Sequence, residues 1–87
     1  MKTFPLTISS PDGNIFSGDV VKLDVRGLEG ELAIMAGHIP FVTAIKNAPC
    51  KVWMNEEECK NAHADGGILS VDENGATLIS GSFQFEA

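Results

Sequence analysis

The chain has 87 residues, of which 44% are hydrophobic and 21% charged, which is the size and composition of a single globular domain. No apolar run approaches the roughly 18 residues that a membrane-spanning helix requires, and the N-terminal segment lacks the long apolar stretch of a signal peptide. Twelve acidic against six basic residues give a net charge of −6, which disfavours binding to nucleic acid and to anionic lipid because both depend on cationic side chains.

The first strand is predicted around Phe4, Leu6 and Ile8, which alternate with more polar residues. Pro5 within it has no amide hydrogen to donate, so we expect one side of the strand to be unpaired there. Asp12-Gly13 follows as a turn, because glycine accepts the positive φ of tight hairpins.

The next two strands flank a glycine-bracketed loop. Val21, Leu23 and Val25 alternate with Lys22, Asp24 and Arg26, so the two sets point to opposite faces. Gly27 and Gly30 enclose Leu28 and Glu29, and Leu32 and Ile34 then resume the apolar alternation. This pattern predicts a hairpin whose loop is exposed.

The second half of the chain continues in short strands. They are predicted at 41–45, around Cys50, Val52 and Met54, at 68–71 and at 76–80, with turns at Asn55 to Glu58 and at Asn74-Gly75. Ile79, Gly81, Phe83 and Phe85 are predicted to extend one face to the end. No segment has the period and caps of a long helix, so the residues predict an all-β sandwich or barrel.

The sequence contains few residues that could act in catalysis or bind a cofactor. His38 and His63 are the only histidines, and neither has a local nucleophile signature beside it. His38 is predicted to be a loop residue next to Gly37 and Pro40, and His63 a partly exposed strand residue. Gly66-Gly67 lacks the strand–loop–helix context of a phosphate cradle. No cofactor is therefore predicted, and the remaining class is a binding or structural module.

The cysteines and acidic residues offer no metal site. Cys50 and Cys59 have the wrong spacing for a Cys-x-x-Cys motif, and free thiols on neighbouring strands are favoured over a disulfide. Cys59 and His63 would lie about 13 Å apart on a strand, too far to share one ion. The run Glu56 to Glu58 is predicted to be a solvated turn.

One long segment resembles a known family. Residues 16–45, FSGDVVKLDVRGLEGELAIMAGHIPFVTAI, resemble the N-terminal domain of the F-type ATP synthase epsilon subunit, called delta in mitochondria. The resemblance rests on Phe16-Ser17-Gly18, on the pair Gly27 and Gly30, on Gly37-His38-Ile39-Pro40, and on Val42-Thr43-Ala44-Ile45, and the flanks with Pro11-Asp12-Gly13 and Gly66-Gly67-Ile68-Leu69 agree.

Several positions depart from the family pattern. Ala33 and Ala36 stand where the family usually has glycine and proline, and Asn61, His63 and Asp65 make polar a strand that is apolar in other members. The polar strand predicts a position at a sheet edge. The family usually continues into a C-terminal helical hairpin that this sequence lacks, so we expect an epsilon-type sandwich over residues 1–87 with no helical domain, no ATP binding and no inhibition by insertion.

The resemblance implies a fold and a role. The fold is a flattened β-sandwich of about ten short strands in two sheets. The role is that of a non-catalytic rotor subunit of a proton- or sodium-translocating ATP synthase, joining the gamma subunit to the polar loops of the c-ring. It implies a peripheral place on the cytoplasmic face of the bacterial inner membrane, with no direct membrane insertion and a monomer when isolated.

The same resemblance implies two interfaces. The c-ring interface would comprise Arg26, Gly27, Leu28, Glu29, Gly30 and Glu31, with the two glutamates near basic groups of the ring. The gamma interface would comprise His38, Ile39, Pro40, Phe41, Val42 and Thr43, with apolar contact from Ile39, Phe41 and Val42. For Phe41 and Val42 a plain core position stays open as the alternative.

A second function class is a carrier domain of the lipoyl or biotinyl type, which is also a small sandwich. It requires a lysine at an exposed hairpin tip, whereas the predicted tips are Asp12-Gly13, Asn55-Glu56 and Asn74-Gly75. A small enzyme, a third class, has only the two histidines in its favour.

Overall fold

The computed structural model describes residues 2–86, so the ends of the predicted 1–87 domain, Met1 and Ala87, lie outside the described residues. The described part is built from eight strands and contains no helix. They are β1 (Phe4–Ser10), β2 (Gly13–Val20), β3 (Lys22–Gly27), β4 (Gly30–Ile34), β5 (Phe41–Trp53), β6 (Cys59–Asp72), β7 (Gly75–Ile79) and β8 (Phe83–Phe85).

The strands form one continuous sheet in the order β2-β1-β7-β6-β5-β3-β4, with β8 paired to β6. All neighbours are antiparallel except β1 and β7. The sheet folds over on itself because β5 and β6, with 13 and 14 residues, each run through both halves of the molecule. The first layer contains β1, β2, β7 and the halves 41–45 and 67–72 of the long strands; the second contains β3, β4, β8 and the other halves.

The all-β sandwich is confirmed, with eight strands rather than about ten. The difference arises from the two long strands. Ile45 of β5 faces the core, whereas Asn47 is exposed and Cys50 and Val52 face the core again, so the inward set changes from odd to even positions. β6 changes in the same way between Ala64 and Leu69. Each long strand therefore contributes one half to each layer, as two short strands joined at a corner would.

Glycine makes this corner. Gly66 and Gly67 have φ of 73° and 140°, a region that side chains with a Cβ rarely adopt. A Cβ on Gly67 would lie 2.2 Å from the carbonyl oxygen of Ile79. Close by, the buried Ser80 donates its hydroxyl within the corner, where the carbonyl oxygens of Gly66 and Ser82 lie 2.6 and 2.8 Å away.

The core is a single cluster between the layers. Leu6, Ile8, Leu69 and Leu78 from the first layer are fully buried, as are Leu23, Ile34 and Val52 from the second. The alternations predicted in β1 and β3 are confirmed, since Phe4, Val21 and Val25 are buried as well. Burial of this apolar area is the main stabilising contribution to so small a domain.

Two predictions need correction. The strand with Asn61, His63 and Asp65 is not at an edge: β6 lies between β5 and β8 there, and it alternates its polar residues outward with buried Ala62 and Ala64. Ile79 does not share a face with Phe83, because it is 56% exposed whereas Phe83 is buried.

The prediction that one side of β1 is unpaired at Pro5 is confirmed. Pro5 pairs with Asp19 of β2, whereas the ladder to β7 begins only at Leu6. The missing amide hydrogen of Pro5 therefore breaks no hydrogen bond to β7.

Candidate interaction surfaces

The segment Arg26–Glu31, the predicted c-ring interface, forms the hairpin between β3 and β4. Gly27 and Gly30 face each other as the closing pair, so the turn consists of two residues, Leu28 and Glu29. Gly30 has a φ of 137°, a backbone conformation that residues with a Cβ rarely adopt. Gly27 is buried, and a Cβ there would press on the side chain of Leu32 at 3.0 Å.

The tip of this hairpin combines one apolar and two acidic side chains. Leu28 is 61% exposed, and Glu29 and Glu31 are exposed beside it. Among residues 2–86 the one ion pair joins Lys22 to Asp24 at 3.5 Å. The two glutamates are therefore available to a cationic partner, and an exposed Leu at a hairpin tip suits an apolar contact.

The segment His38–Thr43, the predicted gamma interface, contains the end of the β4–β5 loop and the start of β5. The backbone amide of His38 donates to the carbonyl oxygen of Met35 at 3.2 Å, and its ring lies 5.0 Å from the ring of Phe41. Ile39 and Val42 are 78% and 69% exposed, with Pro40 exposed between them. This segment thus presents two aliphatic side chains to solvent.

Phe41 and Val42 have different positions. Phe41 is half-buried and packs against the core cluster, whereas Val42 points outward. The alternative of a core position therefore holds in large part for Phe41 and not for Val42. Thr43, also half-buried, lines a shallow depression together with Gly27, Leu28 and Leu32. The two predicted interfaces consequently meet at Thr43.

A third surface was missed by sequence reasoning. Six residues with outward side chains lie side by side on β5, β6 and β7: Val42, Ala44, Ile68, Ser70, Thr77 and Ile79. We call this the uncharged outer face. Ile68 lies between Ala44 and Ile79 across the ladders. The sequence signal for this surface is the pair of apolar residues Ile68 and Ile79. Alternation alone, however, does not tell which face of a strand is buried.

The residues with catalytic or ligating chemistry are dispersed. His63 donates from Nε2 to Asn47 Oδ1, and Asn47 donates to Asp65, in an exposed network remote from His38 in sequence. Within residues 2–86 no three His, Cys, Asp or Glu side chains are close enough to share a metal ion.

The cysteines are free in the structure. Cys50 on β5 pairs with Ala62 and points into the core, and Cys59 on β6 pairs with Trp53 and is half-exposed. Burial raises the pKa of the Cys50 thiol to about 11. A thiol that stays protonated is a poor nucleophile.

The fold and these surfaces define a small β-sandwich whose exposed apolar side chains suit protein–protein contact. Residues 3–85 match the sequence model of the family described as "ATP synthase, Delta/Epsilon chain, beta-sandwich domain". The chain therefore belongs to the ATP synthase delta/epsilon family. It is 37% identical to the ATP synthase epsilon chain of Wolbachia pipientis wMel over 84 residues, which cover 97% of this chain and 74% of that protein.

Two solved structures have the same fold. A chain from the cryo-EM structure of the Euglena gracilis mitochondrial ATP synthase, with OSCP, F1 and c-ring, superposes with a TM-score of 0.89 at 20% identity. A chain from the Tetrahymena thermophila mitochondrial ATP synthase central stalk and c-ring gives 0.80 at 14% identity. This chain spans 53% and 66% of their respective lengths, and they cover 95% and 94% of it.

Residues 2–86 include no helix of the length and apolarity needed to cross a membrane.

Proposed function

We propose that this chain is a non-catalytic subunit of the central stalk of an F-type ATP synthase and that it joins the gamma subunit to the c-ring. The family match over residues 3–85 carries this proposal. The two structural neighbours support it, because both come from assemblies that include a c-ring. As part of such a complex the chain would be peripheral to the membrane, on the side where the stalk lies.

The division of labour that we propose follows the exposed side chains. The hairpin Arg26–Glu31 contacts the polar loops of the c-ring, with Leu28 as the apolar contact and Glu29 and Glu31 facing basic groups. The segment His38–Thr43 contacts gamma through Ile39 and Val42. A rigid sandwich between two such contacts transmits torque without chemistry of its own, since its strands are held by a continuous hydrogen-bonded sheet.

The test is a pair of substitutions at two exposed aliphatic residues. Ile39→Asp introduces a charge where gamma is proposed to bind, and Leu28→Asp does so at the proposed c-ring contact. Because burying an unpaired carboxylate is costly, we expect Ile39→Asp to weaken binding to gamma by about tenfold or more and to leave c-ring binding unchanged. Leu28→Asp should do the reverse. Phe41 is unsuitable for this test because its side chain supports the core.

Binding would be measured with the purified gamma subunit and the detergent-solubilised c-ring of the same ATP synthase. Each variant is the control for the other, since both place one carboxylate at an exposed aliphatic site. Failure of the unmodified chain to bind gamma, alone or with the c-ring present, would contradict the proposed function. A loss of both partners in either variant would contradict the proposed division of labour.

The carrier-domain alternative receives no support. The hairpin tips of the described residues are Pro11-Asp12, Leu28-Glu29, Glu56 with its neighbours, and Glu73-Asn74, and no lysine is among them. Lys22, Lys46, Lys51 and Lys60 all lie within strands. The family match also assigns the chain to the ATP synthase delta/epsilon family and not to a carrier-domain family.

A further inference from the structure

Three strands, β2, β4 and β8, have a neighbour on one side only among residues 2–86. A free strand edge exposes backbone N–H and C=O groups, and proteins commonly blunt such edges because another chain can pair with them. β2 is blunted by a register shift at Ile8 and Ser9 of its partner, and β8 has only three residues. β4, by contrast, pairs with β3 over five consecutive residues without a shift and contains neither proline nor lysine.

The two open sides of the sandwich also differ. On one side β2 and β8 are bridged by Phe16 and Phe85, whose ring centroids lie 5.9 Å apart. The other side lies between β4 and residues 41–44 of β5, which pair with β6 and, within the described residues, with no strand on their other side. A depression of about 310 Å³ remains there, and Leu32 and Thr43 line it together with the residues of the β3–β4 hairpin.

The register of the hairpin determines which backbone groups of β4 are free. Gly27 and Gly30 close a two-residue turn, so they exchange both of their hydrogen bonds. Hydrogen-bonded and non-hydrogen-bonded pairs alternate along an antiparallel ladder, so Leu32 also directs its backbone groups toward β3. The N–H and C=O groups of Glu31 and Ala33 consequently point to the free edge of β4, and both residues are exposed.

We infer that β4 accepts an extended segment of a partner protein as an added antiparallel strand. The main chain of the segment would hydrogen-bond to Glu31 and Ala33, and its successive side chains would point to opposite faces of the sheet. The side chains on the inner face would enter the depression beside Leu32 and Thr43. They are therefore apolar, because a charged group placed there would lose its hydration.

The exposed glutamates of the hairpin determine the charge of the segment. Glu29 and Glu31 lie at one end of β4, and Arg26 stands opposite Glu31 in the ladder without forming an ion pair with it. A lysine or arginine on the outer face of the segment would complement these carboxylates. A second copy of this chain would instead add a net charge of −6 to a chain of the same charge, and like charges on paired strands are destabilising. The partner is defined here by this chemistry, whether or not it belongs to an ATP synthase.

The probe is an acetylated and amidated peptide of the sequence Lys-Val-Thr-Val-Thr-Val-Lys. Its valines would face the depression, and its threonines and lysines would lie on the outer face. Amide hydrogen exchange, followed by NMR, identifies the groups that pair. In the free chain the amides of Glu31 and Ala33 should exchange quickly and that of Leu32 slowly. Saturating peptide should slow exchange at Glu31 and Ala33 by about tenfold or more and leave Leu32 unchanged.

A second peptide separates strand pairing from side-chain contact. It has the same sequence and charge but carries N-methyl groups on both threonines, the residues that pair with the edge of β4. It should bind about tenfold more weakly or less well still, because it lacks the donors of the added ladder. Equal binding of the two peptides would overturn the inference.

A matched pair of variants tests the edge itself. Ala33→Pro removes an amide hydrogen that faces the free edge and, on the register above, breaks no hydrogen bond to β3. It should weaken binding of the first peptide by about tenfold, whereas Ala33→Ser, which keeps the amide hydrogen, should bind as the unmodified chain does. If Ala33→Pro unfolds at a lower temperature than Ala33→Ser, the comparison of the two peptides on the unmodified chain decides the matter.

Two further outcomes would overturn the inference. One is that the first peptide, at concentrations up to its solubility limit, fails to slow exchange at Glu31 and Ala33. The other is that the unmodified chain sediments as a dimer and Ala33→Pro makes it monomeric, since a second copy would then occupy the edge. Neither outcome changes the proposed function, which is tested separately by binding to gamma and to the c-ring.

Discussion

Cys50 shows how a residue of the core acquires an unusual protonation equilibrium. Its side chain is 4% exposed between the two layers, where a thiolate would lose its hydration and has no cation beside it. Burial therefore raises the pKa of the thiol from 9.0 to about 11. The thiol behaves as a small apolar side chain at neutral pH.

This shift predicts a loss of stability at alkaline pH. Below pH 9 the thiol is protonated in both states, and its contribution to folding is fully present. Because the folded state keeps the proton up to about pH 11 whereas the unfolded chain releases it near 9.0, the free energy of unfolding falls as the pH rises through that window. Urea unfolding at a series of pH values would measure the decline.

Two alanine variants isolate the contribution of this residue. Cys50→Ala should lose stability at neutral pH, because it leaves a small cavity in the core, but its decline between pH 9 and 11 should be shallower than that of the unmodified chain. Cys59→Ala, at the half-exposed cysteine, should keep the full decline. Equal slopes in all three proteins would contradict the assignment. The chain has no tyrosine, which removes one competing titration from the same pH range.

At the scale of elements, the corner in β5 and β6 decides the fold. The two strands stay in register through it, with Ile45 opposite Gly67 and Asn47 opposite Asp65, yet the core-facing set changes parity on both. The chain achieves this because Gly66 and Gly67 adopt positive φ, and because β7 approaches the backbone of Gly67 closely. The corner lets one sheet supply both layers.

Gly67→Ala should therefore destabilise the domain by about 3 kcal/mol or more, since the unfavourable φ adds to a Cβ placed 2.2 Å from a backbone oxygen. Gly30→Ala is the matched control, with a φ of 137° and no atom within 4 Å of the added Cβ. It should cost only about 1–2 kcal/mol. Chemical denaturation of both variants tests this, and similar losses would mean that the close approach of β7 is unimportant.

Sequence patterns predicted those elements whose signal is local. The alternation of Phe4, Leu6 and Ile8 and the bracketing of a turn by Gly27 and Gly30 depend on a few adjacent residues, and the structure has them as predicted. The position of β6 beside β8 and the outward direction of Ile79 depend on pairing between distant segments. The local polarity of Asn61 and His63 therefore wrongly predicted that this strand lies at a sheet edge.

The candidate surfaces also divide into those with a local sequence signal and one that depends on the pairing of distant segments. The hairpin Arg26–Glu31 and the segment His38–Thr43 were identified as segments because their motifs are contiguous. Ile68 and Ile79 are separated by a hairpin and become neighbours only through the β6–β7 ladder. In β6 both Ile68 and Leu69 are apolar, and only the corner at Gly67 determines which of the two faces the core. No pattern along the chain contains that information.

At the scale of the whole molecule, different surfaces have different chemistry. The uncharged outer face lies on the first layer, and the outer face of the second layer carries Lys22, Asp24 and Lys51. The acidic hairpin tip of Leu28 and Glu29 projects from the junction of β3 and β4. Separate partners therefore would meet surfaces of different character. The proposed function, in which the chain joins two components, agrees with this separation, because each contact must then hold while the other bears load.

The two glutamates of the hairpin predict that binding to the c-ring depends on salt concentration. The double change Glu29→Gln with Glu31→Gln should weaken binding to the solubilised c-ring by about fivefold at low ionic strength, because each exposed pair contributes about 0.2–1 kcal/mol. The difference from the unmodified chain should shrink as salt is added. Binding to gamma should not change, since neither carboxylate lies in the segment His38–Thr43 or on the uncharged outer face.

The matched control removes the same two charges elsewhere. Glu56→Gln with Glu57→Gln alters the exposed turn between β5 and β6 and changes the net charge from −6 by the same amount. If both double variants weaken c-ring binding equally, the effect comes from the overall charge and not from a contact at the hairpin. A loss confined to the Glu29 and Glu31 variant, and abolished at high salt, would mean that this hairpin faces cationic groups of the ring.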